Sequence, residues 1–262
     1  MIKRILTATA LSFVALATPA AAATDLAGTV LIGGCSGSLV RAPGSSAHDP
    51  ALVLTNGHCY EGQSVIPDEV LVDQPSNRLI NLLDGKGATV ATLRTAKAMY
   101  VTMTGTDIAL YRLRESYAQL DRQYHVRPMT LSAERPKRGA DVEIVSSGWA
   151  KVLPCELDGF AYRVLEATYV TKDVIRYDSA CEPGPGVSGS PVVSGGQVVG
   201  IHNTSNREGG QCTENNPCEM DRSGAISARK GAGYATQTYW ITTCVQPGNR
   251  LDLRKPGCLL PD

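Results

Sequence analysis

Three short segments of the chain carry side chains that could together perform nucleophilic catalysis. In chain order they supply His58, Asp107 and Ser188. A serine hydroxyl is a poor nucleophile until a neutral imidazole accepts its proton, and a buried carboxylate must orient that imidazole and stabilise its charged form. The three residue types therefore predict Ser188 as nucleophile, His58 as general base and Asp107 as the orienting group.

Glycines flank the candidate nucleophile on both sides. Gly186 and Gly189 permit a tight turn that a residue with a Cβ atom could not adopt. In such a turn the backbone N–H groups of Gly186 and Ser188 can converge on one point, where they would stabilise an oxyanion. We therefore expect an oxyanion hole at these two amides.

The elements that must position these groups are mostly strands. Short runs rich in β-branched residues alternate with Gly, Pro, Asn and Ser clusters, a pattern typical of all-β sandwiches or barrels. The predicted strand runs are 29–32, 38–40, 51–54, 90–93, 107–111, 142–145, 162–170, 192–193 and 198–201. Residues 236–245 are the one helix candidate. Each candidate catalytic residue follows or ends a strand run, where loops present side chains at a rigid rim.

Composition excludes several classes of function. The 262 residues contain 25 Lys and Arg against 25 Asp and Glu, so the chain has no basic footprint for nucleic acid or anionic membranes. Hydrophobic residues make up 43%, enough for a substantial core, and the 26 Gly and 15 Pro suit many turns between short strands. No motif indicates a cofactor.

The first 23 residues have the three-part pattern of a secretory signal peptide. Lys3 and Arg4 precede an apolar run over residues 5–17, and Pro19 and residues 20–23 provide a small-residue cleavage region. The apolar run is shorter than the roughly 20 residues that a bilayer span needs. An N-terminal anchor is the alternative, and we expect a secreted protein, extracellular or periplasmic.

All eight cysteines follow the predicted cleavage site. In an oxidising compartment an even number predicts four disulfides. A zinc site is the alternative, but the chain lacks a Cys-x-x-Cys pair and the spacings fit no zinc pattern, so we expect no metal. Sequence alone leaves 105 pairings open. The cysteines are Cys35, Cys59, Cys155, Cys181, Cys212, Cys218, Cys244 and Cys258.

A polar stretch rich in Pro and Gly divides the mature chain into similar halves. Residues 127–140 are the predicted linker, between one β-barrel at 24–126 and a second at 141–262. The second unit is expected to include a C-terminal helix and a disulfide-tied tail.

The motifs around the three candidate residues resemble those of the secreted trypsin/chymotrypsin-like serine proteases, nearest the bacterial glutamyl-endopeptidase branch. Residues 55–59 resemble the family's histidine motif, 107–110 its aspartate motif and 186–191 its serine motif. Secondary matches lie at 35–39, 147–149, 200–202 and 239–241. The resemblance implies two Greek-key six-stranded β-barrels with a short C-terminal helix. It also implies a monomeric endopeptidase that cleaves protein or peptide substrates through an acyl-enzyme.

The resemblance gives conflicting indications of specificity. His202 matches a position where glutamyl endopeptidases carry a histidine, which implies cleavage after acidic residues. Glu182, six residues before Ser188, corresponds to the pocket-floor Asp of trypsin and favours Lys or Arg. The two side chains could also neutralise each other. We favour the acidic preference, and cleavage after Lys or Arg, or after neither, stays open.

Val187 departs from the family pattern, because the digestive proteases carry at this position an Asp that binds a new N-terminal ammonium. We therefore expect activation without that salt bridge. Two other functions remain as alternatives. One is a catalytically silent, protease-like binding protein; the other is an esterase, although the Ser, Asp, His order of α/β-hydrolases is absent.

The resemblance also implies a Cys35–Cys59 bridge beside His58. Proximity suggests Cys212–Cys218 and Cys244–Cys258, which leaves Cys155 with Cys181. The rival pairing is Cys181–Cys212.

Overall fold

The computed structural model describes residues 24–61 and 65–262. The predicted signal peptide, residues 1–23, lies outside the described residues. The first half of the chain forms strands β1 (Thr29–Ile32), β2 (Cys35–Arg41), β3 (Pro50–Thr55), β4 (Val70–Pro75), β5 (Leu79–Leu83), β6 (Thr89–Thr102), β7 (Thr104–Gly105) and β8 (Ile108–Ser116). Six of them close a barrel by antiparallel pairing in the order β1–β2–β3–β8–β6–β5 and back to β1.

Strands β3 and β8 are buried on both faces. Successive side chains of a strand point to opposite sides, so Val53 and Tyr111 fill the barrel interior. Leu54 and Leu110 instead pack outward against residues of the second half of the chain, among them Ile201. This two-sided burial explains why both segments read as continuous apolar runs in the sequence.

The second half repeats the architecture. Its strands are β9 (Met129–Leu131), β10 (Asp141–Ser146), β11 (Lys151–Glu166), β12 (Tyr169–Tyr177), β13 (Pro191–Ser194), β14 (Gln197–Ser205), β15 (Cys218–Met220), β16 (Ile226–Ser227), β17 (Gly233–Gln237), β18 (Val245–Gln246) and β19 (Arg250–Leu251). The order β10–β11–β12–β17–β14–β13 returns to β10 and closes a second ring of six. The mostly β, two-barrel fold predicted from sequence is confirmed.

Two helices accompany the strands in the described part of the chain. Helix α1 (Tyr117–Tyr124) was not among the predicted elements, although Ser116 and Gln119 form a capping box at its start. Helix α2 (Tyr239–Cys244) lies inside the predicted span 236–245 but begins later, because β17 continues to Gln237.

Two predicted segments have different structures from those expected. The run 162–170 is not one strand: a turn at Ala167, in the left-handed region with φ 50°, separates β11 from β12. No glycine or asparagine marks this turn in the sequence. The predicted linker 127–140 contains β9, which pairs in parallel with both β2 and β14 and so connects the two halves.

Four disulfides join the eight cysteines: Cys35–Cys59, Cys155–Cys181, Cys212–Cys218 and Cys244–Cys258. These are the expected pairs, and the rival Cys181–Cys212 does not form. Within residues 24–61 and 65–262, no helix has the length and apolar character needed to cross a membrane.

Candidate active site

His58 and Asp107 meet because the strands that carry them are paired neighbours. A 3-10 turn (Gly57–Cys59) follows β3 and contains His58, and Asp107 immediately precedes β8. The pairing of Thr55 with Ala109 places both residues at the same end of the two strands.

The Asp107 carboxylate is bonded to both the side chain and the backbone of His58. Its Oδ2 lies 2.8 Å from His58 Nδ1, and its Oδ1 accepts the His58 backbone N–H at 3.0 Å. The Asn56 side chain donates to the Asp107 carbonyl at 3.1 Å. These contacts place the proton of the neutral imidazole on Nδ1, which leaves Nε2 as the free acceptor.

Two opposing effects act on the pKa of His58. Desolvation in the cleft lowers it, although 32% of the side chain surface is exposed. The negative charge of Asp107, its hydrogen bond and the more distant Glu166 raise it. The pKa of His58 is raised overall, so the imidazole is a stronger base than a free histidine.

Ser188 lies in a turn between β12 and β13 that is fixed by backbone hydrogen bonds. Its carbonyl accepts the Ser36 N–H at 2.8 Å, and the next residue, Gly189, donates to the His202 carbonyl at 2.9 Å. Gly189 has φ +82°, and a Cβ atom there would overlap the Ser36 carbonyl oxygen and the Thr55 hydroxyl. The turn therefore requires glycine at this position, for both its conformation and its space.

Ser36 on β2 connects the two halves of the site, a role that sequence reasoning missed. Besides the bond to Ser188, its hydroxyl accepts the Gly148 N–H at 3.0 Å and its carbonyl accepts the Thr55 hydroxyl at 2.7 Å. The Ser147 hydroxyl donates to the Val30 carbonyl at 2.7 Å in the same region. Nothing in the sequence distinguishes Ser36 from the other serines of its strand.

The amides of Gly186 and Ser188 are free to bind a ligand. Gly186 has φ +84°, and in the described residues no hydrogen bond uses the N–H of Gly186 or Ser188. The preceding residue is fixed, because the Trp149 indole donates to the Pro185 carbonyl at 2.7 Å. Two unengaged amides in one turn fit the expected oxyanion hole.

A cleft of about 390 Å³ brings most of the predicted site residues together. His58, Asp107, Ser188 and His202 all line it. His58 and Ser188 share no hydrogen bond in the described residues, as is common before substrate binds. The full lining comprises His58, Met103, Asp107, Val164, Glu166, Ala167, Tyr169, Thr171, Gly184, Ser188, His202, Asn203, Thr204, Ser205, Arg207, Glu214 and Asn215.

The floor of the cleft is polar and buried. His202 is 2% exposed, stacks on Tyr177 with ring centroids 5.9 Å apart, and its Nδ1 has no hydrogen-bond partner. Burial first, and then the charges of His58 and Arg207, lower its pKa to about 3, so this imidazole is neutral at pH 7. Asn203 Oδ1 and Ser205 Oγ are likewise buried without partners among the described residues.

Glu182 does not reach the cleft. It is exposed and absent from the lining residues, so the structure does not bring it together with His202. The segment after Glu182 lies close to Trp149, because a Cβ atom at Gly184 would be 3.0 Å from the Trp149 ring. Counting six residues back from Ser188 therefore does not identify a pocket residue in this chain.

Glu166 lines the cleft and was not singled out in the sequence. It is the last residue of β11, and its Oε1 accepts the Asn215 N–H at 2.7 Å. Burial raises the pKa of Glu166, while hydrogen bonds from Thr204 and Asn215 and the proximity of His58 lower it in part; the net pKa is raised. Asn215 is 49 residues away in sequence, so no local pattern indicated this arrangement.

Cys35, His58 and Cys59 have ligand atoms within 4.8 Å of one another, a spacing that could hold a metal. The two sulfurs are joined in a disulfide, however, and offer no thiolate. The Cys35–Cys59 disulfide instead links the turn that contains His58 to β2.

The model of the Trypsin-like peptidase domain family matches residues 35–201 of the chain. This span is more than half of the chain and contains His58, Asp107 and Ser188. No curated protein matches the sequence.

Solved structures of proteases have similar folds at low identity. The active form of the Rv3671c protease from M. tuberculosis is 16% identical, with 87% of this chain and 75% of that chain covered at a TM-score of 0.49. The MamO protease domain from Magnetospirillum magneticum is 15% identical, with 85% and 98% covered at 0.49. Nocardiopsis Protease (NAPase) is 16% identical, with 82% and 93% covered at 0.46.

Proposed function

Because the chain belongs to the trypsin-like peptidase family, we propose that it is a secreted serine endopeptidase with Ser188, His58 and Asp107 as its catalytic triad. The observation that carries the proposal is the His58–Asp107 pair, bonded at 2.8 Å on the wall of the cleft that Ser188 also lines. A neutral imidazole held in this way has one free nitrogen, Nε2, for the proton of a nucleophile.

In the proposed mechanism, Ser188 Oγ attacks the scissile carbonyl carbon while His58 Nε2 takes the hydroxyl proton. The C–N bond breaks as the imidazolium returns that proton to the leaving amine, which gives an acyl-enzyme and a free amino terminus. Water then attacks the ester with His58 again acting as base, and Ser188 is released. Asp107 stabilises the imidazolium throughout without becoming protonated.

The free amides of Gly186 and Ser188 would stabilise the oxyanion of each tetrahedral intermediate. In related chemistry, removing one such donor costs about 10²–10³ in kcat. The fixed Pro185 carbonyl and the positive φ of Gly186 support this role, because they hold the turn before substrate arrives.

We propose that the primary pocket binds a polar side chain of the substrate, and we favour cleavage after acidic residues. The neutral, buried His202 and the unpartnered Asn203 and Ser205 support a polar substrate group, because buried polar atoms without partners are costly. The main argument for cleavage after Lys or Arg was a pocket carboxylate at Glu182, and this residue lies outside the cleft. Cleavage-site profiling on a peptide library tests the preference.

Secretion is proposed from residues 1–23 and from the four disulfides. Disulfides persist in oxidising compartments, and the structure pairs all eight cysteines. Detection of the mature protein outside the cytoplasm, with its amino terminus near residue 24, is the expected result.

A fluorophosphonate probe tests the triad directly. We expect stoichiometric labelling of Ser188, with no labelling of Ser188→Ala and normal labelling of Ser190→Ala, whose buried hydroxyl has no partner. Folded protein that neither reacts with the probe nor cleaves any peptide would contradict the proposal and favour the protease-like binding protein.

A further inference from the structure

We propose that Glu166 forms a subsite that selects a cationic side chain, Lys or Arg, in the substrate segment that precedes the scissile residue. The inference rests on the proposed peptidase function and deepens it. It concerns a different part of the cleft from the polar floor at His202.

The wall that carries Glu166 is rigidly built. The Cys212–Cys218 disulfide closes a short loop that holds Asn215, whose backbone N–H donates to Glu166 Oε1. The Ala167 N–H donates to the Cys212 carbonyl at 2.9 Å, which fixes the β11–β12 turn against the same loop. The Glu166 carboxylate is therefore held in place before any substrate binds.

Asn206 and Asn216 support this loop from within. The Asn206 side chain donates to the carbonyls of Gly210 and Pro217 at 2.8 and 2.9 Å. The Asn216 side chain accepts the Glu208 N–H at 2.9 Å. These side-chain bonds to the backbone take the place of regular strand pairing over the loop.

The charge of Glu166 has no cationic side chain paired with it among the described residues. No Lys or Arg forms an ion pair with Glu166 within 4.0 Å, and His58, the histidine that acts on the pKa of Glu166, is already bonded to Asp107. Of the other charged groups that line the cleft, Asp107 is bonded to His58, Glu214 adds a further carboxylate, and Arg207 is exposed to solvent.

A partly desolvated carboxylate without a counter-ion is costly, and an incoming ammonium or guanidinium group would relieve that cost. A neutral side chain would leave the carboxylate buried and unpaired, and an acidic one would add repulsion.

The edge of β14 indicates which part of the substrate passes Glu166. Up to Ile201 this strand pairs with β13 on one side, and from Gly200 onward it pairs with β17 on the other. Beyond His202, the cleft side of β14 has no strand partner in the described residues and can accept a substrate strand.

A substrate strand added antiparallel to this edge runs from Ser205 towards Ser188. The residues that lie beside Thr204 therefore precede the scissile bond. Thr204 and Glu166 both line the cleft, and the Thr204 side chain is close enough to lower the pKa of the Glu166 carboxyl, so the carboxylate faces side chains on the amino-terminal side of the scissile residue.

The experiment measures kcat/KM on matched peptides with one fixed scissile residue. Each of the three preceding positions carries in turn Lys, its neutral isostere norleucine, or Glu. For the unmodified enzyme we expect Lys to exceed norleucine at one of these positions by about 10- to 150-fold, the range of a hydrogen bond to a charged group. Equal rates for Lys and norleucine at all three positions would overturn the inference without any variant.

Two variants test whether Glu166 is the source of the preference for Lys over norleucine. Glu166→Gln keeps the acceptor for the Asn215 N–H and removes the charge, so the ratio of Lys to norleucine should fall to about 1. Glu166→Lys should invert the preference and favour Glu. The matched control is Glu182→Gln, which removes a carboxylate outside the cleft and should leave the ratio unchanged. A thermal melt of each variant checks folding.

The outcomes separate this inference from the proposed function. If the enzyme cleaves peptides and Ser188 is labelled, but Glu166→Gln keeps the full preference for Lys, the subsite is wrong and the peptidase stands. A charge preference confined to the scissile residue itself would also overturn it. If the unmodified protein neither cleaves nor labels, the proposed function itself fails.

Discussion

The two halves of the candidate site are held by different means. In the first barrel, His58 and Asp107 extend from two directly paired strands and bond to each other through both side chain and backbone. In the second half, Ser188 lies in an irregular turn whose position depends on Gly189 and on Ser36 of the opposite barrel. The proposed base and its carboxylate are thus fixed within one barrel, whereas the proposed nucleophile is fixed between two.

This difference separates two kinds of substitution. A change at Asp107 should impair the chemistry and leave the barrel intact, because strand pairing holds the site there. A change at Gly189 or Ser36 should alter the geometry between the barrels, and so affect stability and activity together. Four predictions test that division.

Asp107→Asn should have the largest effect on activity. The amide cannot stabilise the imidazolium and favours the wrong tautomer of His58, so we expect kcat to fall by about 10⁴ with the urea midpoint of unfolding close to that of the unmodified protein. The control is Asp68→Asn, at an exposed position with φ 64° that asparagine tolerates. A loss of only a few-fold would remove Asp107 from the triad.

Gly189→Ala should reduce both activity and stability. The new methyl group would overlap the Ser36 carbonyl and the Thr55 hydroxyl, and displacing the nucleophile by about 1 Å can cost about 10² in rate. Gly196→Ala is the matched control, because Gly196 also has a positive φ of 76° but open space around it. If the two variants behave alike, backbone conformation matters and the contact between the barrels does not.

The pH dependence of kcat/KM should report the interaction between His58 and Asp107 in the first barrel. His58 must be neutral to act as base, so kcat/KM on an uncharged peptide should fall tenfold per pH unit below the pKa of His58. The pKa of His58 is raised, because Asp107 together with the more distant Glu166 more than offsets burial. In Asp107→Asn the larger of these contributions is removed and the midpoint should move to lower pH. An unchanged midpoint would contradict the assigned cause.

Ser36→Ala should have the smallest effect of the four. It removes the acceptor for the Gly148 N–H, and the loss of one part-buried hydrogen bond costs about 0.5–1.5 kcal/mol, which urea unfolding measures; we expect a loss of activity of a few-fold. Ser38→Ala on the same strand is the control, since the Ser38 hydroxyl is buried without a partner. Equal losses in both variants would contradict the cross-barrel role of Ser36.

Much of the framework could be predicted from the sequence. Runs such as 51–54 and 108–111 lie on strands buried on both faces, so their apolar character is continuous and easily recognised. The residues around His58, Asp107 and Ser188 form local motifs because each must satisfy a turn or a strand end within a few residues.

The parts that could not be predicted depend on contacts between distant segments. Glu166 ends an ordinary strand, and the distant loop around Asn215 holds its carboxylate in the cleft. Glu182, assigned to the pocket by counting back from Ser188, is exposed and does not line the cleft, and no local pattern in the sequence reveals the path of its loop. Helix α1 was missed although its capping box was present, because its apolar face is short: of its eight residues, Tyr117 and Leu120 are buried.

Because Ser36 bonds to both barrels, the candidate active site is assembled only when the complete chain has folded. One small residue of β2 bonds to the Thr55 hydroxyl at the end of β3, to the turn of Ser188 and to the β10–β11 turn at Gly148. A chain with only one barrel folded would contain no assembled nucleophile. During synthesis, such a protein would be harmless to its neighbours until its two halves had docked.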